Sequence, residues 1–328
     1  MVDVVTFAQA LDAAPAKRHL LLGNGFSIAL KPNIFSYASL YQRADFAKVP
    51  YAGAIFEALG TKDFEAVIKV LVSAHKVLKI YDGIHILVTA IGQNHPDRPF
   101  EVEPEQFAAC RGFLANFGHV YTLNYDILLY WALMQDKVDD LRLKPDDGFR
   151  QPEDQEDASY VSWLEAQTAT VHFLHGALHL FDDGDQIIKY TWSRTDIPLL
   201  EQIRDALDHD RYPLFVSEGT SRHKLEKILH NAYLHKGLRS FEAICDMQAV
   251  GLFIFGHSLA ANDDHILRKI SRGNVSKLYV SLFGDPASAE NKLIISNAQA
   301  LVAKRKTLKP KRELELCFYS AASAQIWG

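Results

Sequence analysis

Four segments of the chain place reactive or backbone-permissive residues directly after short apolar runs. The first reads Leu20-Leu21-Leu22-Gly23-Asn24-Gly25-Phe26-Ser27. Glycines, having no Cβ, let the backbone bend sharply and approach a ligand that a side chain would block. A helix starting beyond this turn would aim its N–H groups and its dipole at a diphosphate. A plain structural turn uses the same residues, and Ile28 stands where the usual Gly-x-Gly-x-x-Gly fingerprint has its third glycine. The second segment is Tyr121-Thr122-Leu123-Asn124-Tyr125-Asp126. An amide and a carboxylate two residues apart at a strand end can project into one crevice. Alternatively, Asn124 shapes a turn and Asp126 caps the next helix.

The third segment, Val171-His172-Phe173-Leu174-His175-Gly176, ends in a histidine followed by a glycine. Histidine suits general-base work near neutral pH, and the glycine makes a tight exit that presents the imidazole. His172, His175 and His179 could ligate a metal if residues 172 and 175 shared a helix face, but the apolar run reads as a strand. The fourth segment is Phe255-Gly256-His257-Ser258-Leu259, followed by Asn262-Asp263-Asp264-His265. One of the two acids caps the following helix, or the acidic pair meets a ribose hydroxyl or braces the loop that does so. A fifth, Phe215 to Ser221, offers helix caps or N–H groups for an anion, with Arg222 and Lys224 close by.

These residues need a scaffold, and the apolar runs supply it. Residues 19–23, 119–124, 171–174, 252–256 and 277–283 lack the alternation of a half-exposed sheet and read as buried parallel strands. Leu314–Tyr319 is a further candidate strand. Helical spacing marks Phe64–Val77, Glu105–Phe117, Leu225–Leu234 and Phe241–Ala249. Strands alternating with helices imply an α/β fold, a mainly parallel sheet with helices on both faces. The stretch 136–160 is rich in acids and carries Pro145, Gly148 and Pro152, the pattern of a solvated excursion. The basic run Lys304–Arg312 reads as a solvated helix end and turn, or as a surface for an anionic partner.

The order Gly-Asn-Gly-x-Ser, Thr-x-Asn-x-Asp, His-Gly and Gly-x-Ser-Leu resembles the sirtuin-like NAD-binding superfamily. The wording Gly23-Asn24-Gly25 and Phe255-Gly256-His257-Ser258-Leu259 is similar to its prokaryotic, phage-defence-associated branches. The resemblance implies one Rossmann-like domain over 1–328, with a helical insertion around 37–117. It implies NAD as ligand or substrate, with Gly23, Asn24, Gly25, Ser27, Thr122, Gly256, Ser258 and Asp263 binding it. Asn124, Asp126 and His175 would be catalytic. Asn124 would hold the ribose and an attacking water, Asp126 would meet the carboxamide, and His175 would act on a hydroxyl or water. The implied reaction is hydrolysis of the nicotinamide–ribose bond to nicotinamide and ADP-ribose. A sensor that binds without turnover, and a transferase or deacylase, are the alternatives. The paired Cys-x-x-Cys zinc module of deacetylating sirtuins is missing from the sequence, as is an Ile-Pro-Asp-Phe-Arg segment after the first turn. That counts against a deacetylase and against a metal cofactor.

Composition sets the remaining bounds. The 328 residues are 48% hydrophobic and 23% charged, with a formal net charge of -5, which gives no global attraction to nucleic acid or anionic lipid. No run of about 18 apolar residues suggests a membrane span, and no basic–apolar leader opens the sequence. A cytoplasmic protein is expected, with an oligomer or partner protein left open. Cys110, Cys245 and Cys317 are dispersed, which suits small buried residues better than a disulfide framework.

Overall fold

The computed structural model describes residues 2–44, 46, 50–62, 67, 70, 95–152, 157–165, 168–191, 194–216 and 220–328. Most of the Phe64–Val77 segment lies outside these residues. Seven strands form a parallel sheet: β1 (Val4–Val5), β2 (Lys17–Leu22), β3 (His119–Thr122), β6 (Val171–Phe173), β10 (Val250–Phe255), β11 (Lys277–Leu282) and β12 (Glu315–Ser320). Their order across the sheet is β1-β12-β11-β10-β2-β3-β6. Every pairing is parallel. This is the α/β, Rossmann-like architecture expected from the apolar runs.

Both faces of the sheet are covered. Phe253, Tyr279 and Tyr319 share one face, where Phe253 stacks on Tyr279 at 4.2 Å. There the sheet meets Phe7 of the Phe7–Asp12 helix, with Phe113 of the Pro104–Leu114 helix close behind. Tyr121 and His172 point to the opposite face. Tyr121 meets Phe241 edge-on, and both Tyr121 and His172 contact the Ser240 hydroxyl of the Ala232–Asp246 helix. Burial on both sides explains why β10, Val-Gly-Leu-Phe-Ile-Phe, is apolar at every position.

A second sheet was not legible in the sequence. It is antiparallel, in the order β4-β5-β8-β7-β9, built from β4 (Phe149–Arg150), β5 (Tyr160–Trp163), β7 (Gly176–Asp182), β8 (Ile187–Tyr190) and β9 (Pro213–Phe215). β4 lies within the acidic stretch 136–160, and β5 begins at its last residue. There Asp146 pairs with Arg150 at 2.7 Å, and Asp147 pairs with Lys189. The sheets are joined at Leu174-His175-Gly176. Gly176 has φ +77°, and a Cβ there would lie 1.9 Å from the Leu214 carbonyl. Only glycine fits that junction.

Two segments differ from their reading in the sequence. Leu225–Leu234 is not one helix: the chain breaks at Asn231, whose side chain caps the N–H of Leu234 at 3.1 Å. The basic run is largely structural. Arg305 is fully buried and donates to the carbonyls of Ser271 and Val275 at 3.1 Å each, and to that of Ile270. It thereby satisfies the end of the Asp264–Arg272 helix, where carbonyls lack helical partners. Among the described residues, no helix is long and apolar enough to cross a membrane.

Candidate active site

After β2 the chain moves to β3 and β6 on one side of the sheet. After β10 it moves to β11 and β12 on the other. β2 and β10 are neighbours, so the loops leaving their carboxyl ends diverge and open a crevice, the general ligand position in open α/β sheets. A cavity of about 1530 Å³ lies there. Gly23, Asn24, Gly25, Asn124, Asp126, His175, Gly256, Ser258 and Asp263 all line it, although they come from four separate segments.

Asn124 and Asp126 are joined by a residue from the Gly25–Leu30 helix that follows β2. The Ser27 hydroxyl donates to Asp126 Oδ2 at 2.5 Å and accepts from Asn124 Nδ2 at 3.1 Å. Asp126 Oδ1 accepts the Leu128 N–H at 3.0 Å, so this carboxylate also serves the start of the Leu128–Met134 helix. Thr122 Oγ1 accepts the Asn124 N–H at 3.0 Å and sets the turn. Burial pushes the Asp126 carboxyl above its ordinary range, against the downward pull of the Ser27 and Leu128 hydrogen bonds.

The second half of the site is a cluster of imidazoles around one carboxylate. His175 Nε2 faces His265 Nε2 at 3.0 Å and lies 3.9 Å from Asp263 Oδ1. Asp263 accepts from the buried Lys224 ammonium on Oδ1 and from His257 Nε2 on Oδ2, each at 3.0 Å. His257 Nδ1 accepts the Leu259 N–H, which places the His257 proton on Nε2. Ser221 Oγ accepts the His265 N–H at 2.7 Å and sits 3.2 Å from His265 Nδ1. Burial drives His175 well below the ordinary histidine range and His265 down to about 4. Burial also pushes the Asp263 carboxyl upward. The His257 hydrogen bond and the charges of His175, His257 and Lys224 outweigh it, and the group stays well below the usual carboxylate range.

Donor atoms of His175, Asp263 and His265 lie within 4.8 Å of one another, so these three could hold a cation. The Lys224 ammonium rests on the same carboxylate and would repel it. His172 and His179, the other two histidines weighed for a metal, point elsewhere: His172 bonds Ser240 and His179 stacks on Tyr130.

A family model described as a domain of unknown function (DUF4917) matches residues 20–327. The chain belongs to the DUF4917 family. No curated protein matches this DUF4917 chain. Among solved structures it is similar to a histidine-to-asparagine mutant of a Sir2 homologue in complex with ADP-ribose. That match has 13% identity, covers 89% of this chain and 97% of the other, and has a TM-score of 0.36. It is also similar to Sir2Af2 bound to a myristoylated histone peptide, at 12% identity over 93% of this chain and 96% of the other, with a TM-score of 0.32.

Not every motif residue of the DUF4917 chain faces the cavity. Ser27 is fully buried between Asn124 and Asp126, and Thr122 is buried behind the turn. Both brace the site from behind. Asp263 gives no side-chain cap to its helix, because its carboxylate serves Lys224 and His257. Within the glycine turn, several N–H groups already have backbone partners. The N–H groups of Gly25, Phe26 and Ser27 are bonded to the carbonyls of Gly256, Gly23 and Asn24. His257 and His265 stood in the fourth segment without a role, while Ser221 was read as a helix cap or part of an anion site with Lys224 close by.

Gly25 and Gly256 also pack tightly against each other. A Cβ on Gly25 would lie 2.4 Å from Gly256 Cα, and one on Gly256 would lie 2.5 Å from Gly25 Cα. Gly25→Ala is therefore expected to destabilise the fold by about 1–3 kcal/mol, the usual cost of overpacking. Urea unfolding checks this, and an unchanged midpoint would mean that the two loops part freely.

Proposed function

We propose that this cavity binds a nicotinamide dinucleotide and that its Asn124, Asp126 and His175 wall hydrolyses the nicotinamide–ribose bond. One observation carries the reading. The four segments whose order resembles sirtuin-like proteins, up to 240 residues apart in sequence, line a single cavity at the switch point between β2 and β10. A cavity of about 1530 Å³ exceeds the range for drug-sized ligands, roughly 300–1,000 Å³, and suits a two-nucleoside ligand.

The chemistry fits the residue types. The nicotinamide group is already a cationic leaving group. Breaking its bond to ribose develops an oxocarbenium-like centre, so the protein must orient the sugar, stabilise positive charge and position water. Asn124, fixed through Ser27, orients a ribose hydroxyl and the water. Asp126 supplies negative charge and an acceptor for the carboxamide. His175 takes the proton from the attacking water as the carbon–oxygen bond forms and the carbon–nitrogen bond breaks.

Incubation of the protein with NAD, followed by chromatography, tests the proposal. Stoichiometric free nicotinamide and ADP-ribose are the expected products. Intact NAD with measurable binding would replace the hydrolase with a sensor.

A further inference from the structure

Two imidazoles that face each other through Nε2 across 3.0 Å have room for one proton between them. His175 and His265 are 2% and 3% exposed, so this proton is shielded from bulk water. Nε2 of His175 is taken up by this contact, which leaves Nδ1 for the cavity that His175 lines. His265 reaches the other way, through Nδ1, to Ser221 Oγ. Asp263 is the only carboxylate that shares the pair's surroundings within 4.8 Å, among the described residues.

We infer that His175 and His265 form a two-imidazole proton relay, with His265 as a positioning residue and the site of transient positive charge. In the resting state His175 Nε2–H donates to His265 Nε2, and His265 Nδ1–H donates to Ser221 Oγ. The Nδ1 lone pair of His175 faces the cavity. A proton taken from water at His175 Nδ1 is matched by transfer of the Nε2 proton to His265. The water's O–H bond breaks and an N–H bond forms at Nδ1. On the far side, N–H breaks at His175 and forms at His265. The net positive charge rests on His265, beside Asp263. Lys224 and His257 hold the Asp263 carboxylate in place. Asp264, next in the chain, is engaged with Arg268 and Lys304. Burial favours neutral His265, so the relay returns its proton readily once product leaves.

The catalytic role rests on the hydrolase reading, while the shared proton does not. The test therefore has two arms. Histidine-selective ¹⁵N NMR of the wild-type protein should show nitrogen–nitrogen coupling between the two Nε2 atoms and one joint titration. Separate titrations without coupling overturn the relay, whether or not NAD is cleaved. So does stoichiometric zinc in the purified protein with both imidazoles metal-shifted. In the second arm, His265→Gln keeps an acceptor for His175 but cannot carry the proton. The expected result is a fall in kcat of about 100-fold, the low end of proton-transfer contributions. KM should hold, and the acid limb of the pH profile should become that of a single ionisation. Ser221→Ala should lower kcat less and in the same direction. Unchanged kcat and pH profile in a folded His265→Gln overturn the catalytic half. If wild type never cleaves NAD, the hydrolase reading falls and the NMR arm still decides the shared proton.

Discussion

Asn124→Ala and His175→Gln are each expected to cut NAD cleavage by about 100- to 10,000-fold, the range seen when a positioned acid or base is removed. Much of the dinucleotide affinity should survive, because the cavity extends well beyond these two side chains, along Gly23–Gly25 and Gly256–Ser258 to Ser288 and Asn291. The choice of substitutions follows from the packing. His175→Ala would leave a void around a residue 2% exposed and strip His265 of its partner, so lost stability would mix with lost chemistry. Glutamine retains volume and a polar group. Asn124→Ala removes one donor to Ser27, whose hydroxyl keeps its bond to Asp126. The measurements are kcat, KM and calorimetric affinity, with melting temperature as control. Equal cleavage by wild type and both variants would move the chemistry to another part of the cavity.

The sequence showed the sheet more clearly than the site. β2, β3, β6, β10 and β11 were legible because strands buried on both faces are largely apolar, and β12 because Leu316 to Tyr319 form an unbroken apolar run. The same rule hides the antiparallel sheet. β4 and β9 are two and three residues long, and β7 mixes Gly176, Ala177 and His179 among its apolar residues. One signal was available: Asp182-Asp183-Gly184-Asp185 between apolar runs is turn chemistry. Gly184 takes φ +87° and its N–H bonds Asp182 Oδ1 at 3.1 Å.

The motif segments could be found one by one, because a strand end followed by Gly, Asn, Asp or His stands out against an apolar run. What joins them could not. Ser27 meets Asp126 across 99 residues, and His175 meets His265 across 90. No local pattern encodes such contacts. His265 follows two acids at a helix start, where capping chemistry is the simplest reading. The C-terminal segment is similar. Residues 321–328 show no period, yet Trp327 donates its Nε1–H to Phe26 O at 2.8 Å and, with Ile326, walls the cavity beside the first glycine turn.

Acid is expected to unfold this protein steeply, through histidines rather than carboxylates. Burial lowers His19, His95, His172 and His265 each to about 4, and holds His175 and His179 well below the ordinary value of 6.5. His19 is also pressed by His119, whose ring lies 5.0 Å away, and both its nitrogens are buried without hydrogen-bond partners among the described residues. The direction follows from linkage. The unfolded chain protonates these groups as pH falls below 6.5, while in the folded chain His19, His95, His172 and His265 do so only near pH 4 and His175 and His179 stay neutral well below 6.5. Protons then favour the unfolded state, so stability is full above 6.5 and drains between 6.5 and 4. The slope is about 1.4 kcal/mol per pH unit for each group. Asp263 acts in a different window, since its depressed carboxyl contributes stability that is lost only below the ordinary carboxylate value of 3.8. Urea unfolding at pH 7.5, 6 and 5 should show a falling midpoint, with proton uptake on unfolding measurable by calorimetry in two buffers. His19→Leu should flatten that dependence and raise stability at pH 5, because it removes one unpartnered buried imidazole far along the sheet from the cavity. Equal midpoints at pH 7.5 and 5 would mean that these rings are already charged, or solvated, in the folded state. The relay would then lose the neutral resting pair on which it depends.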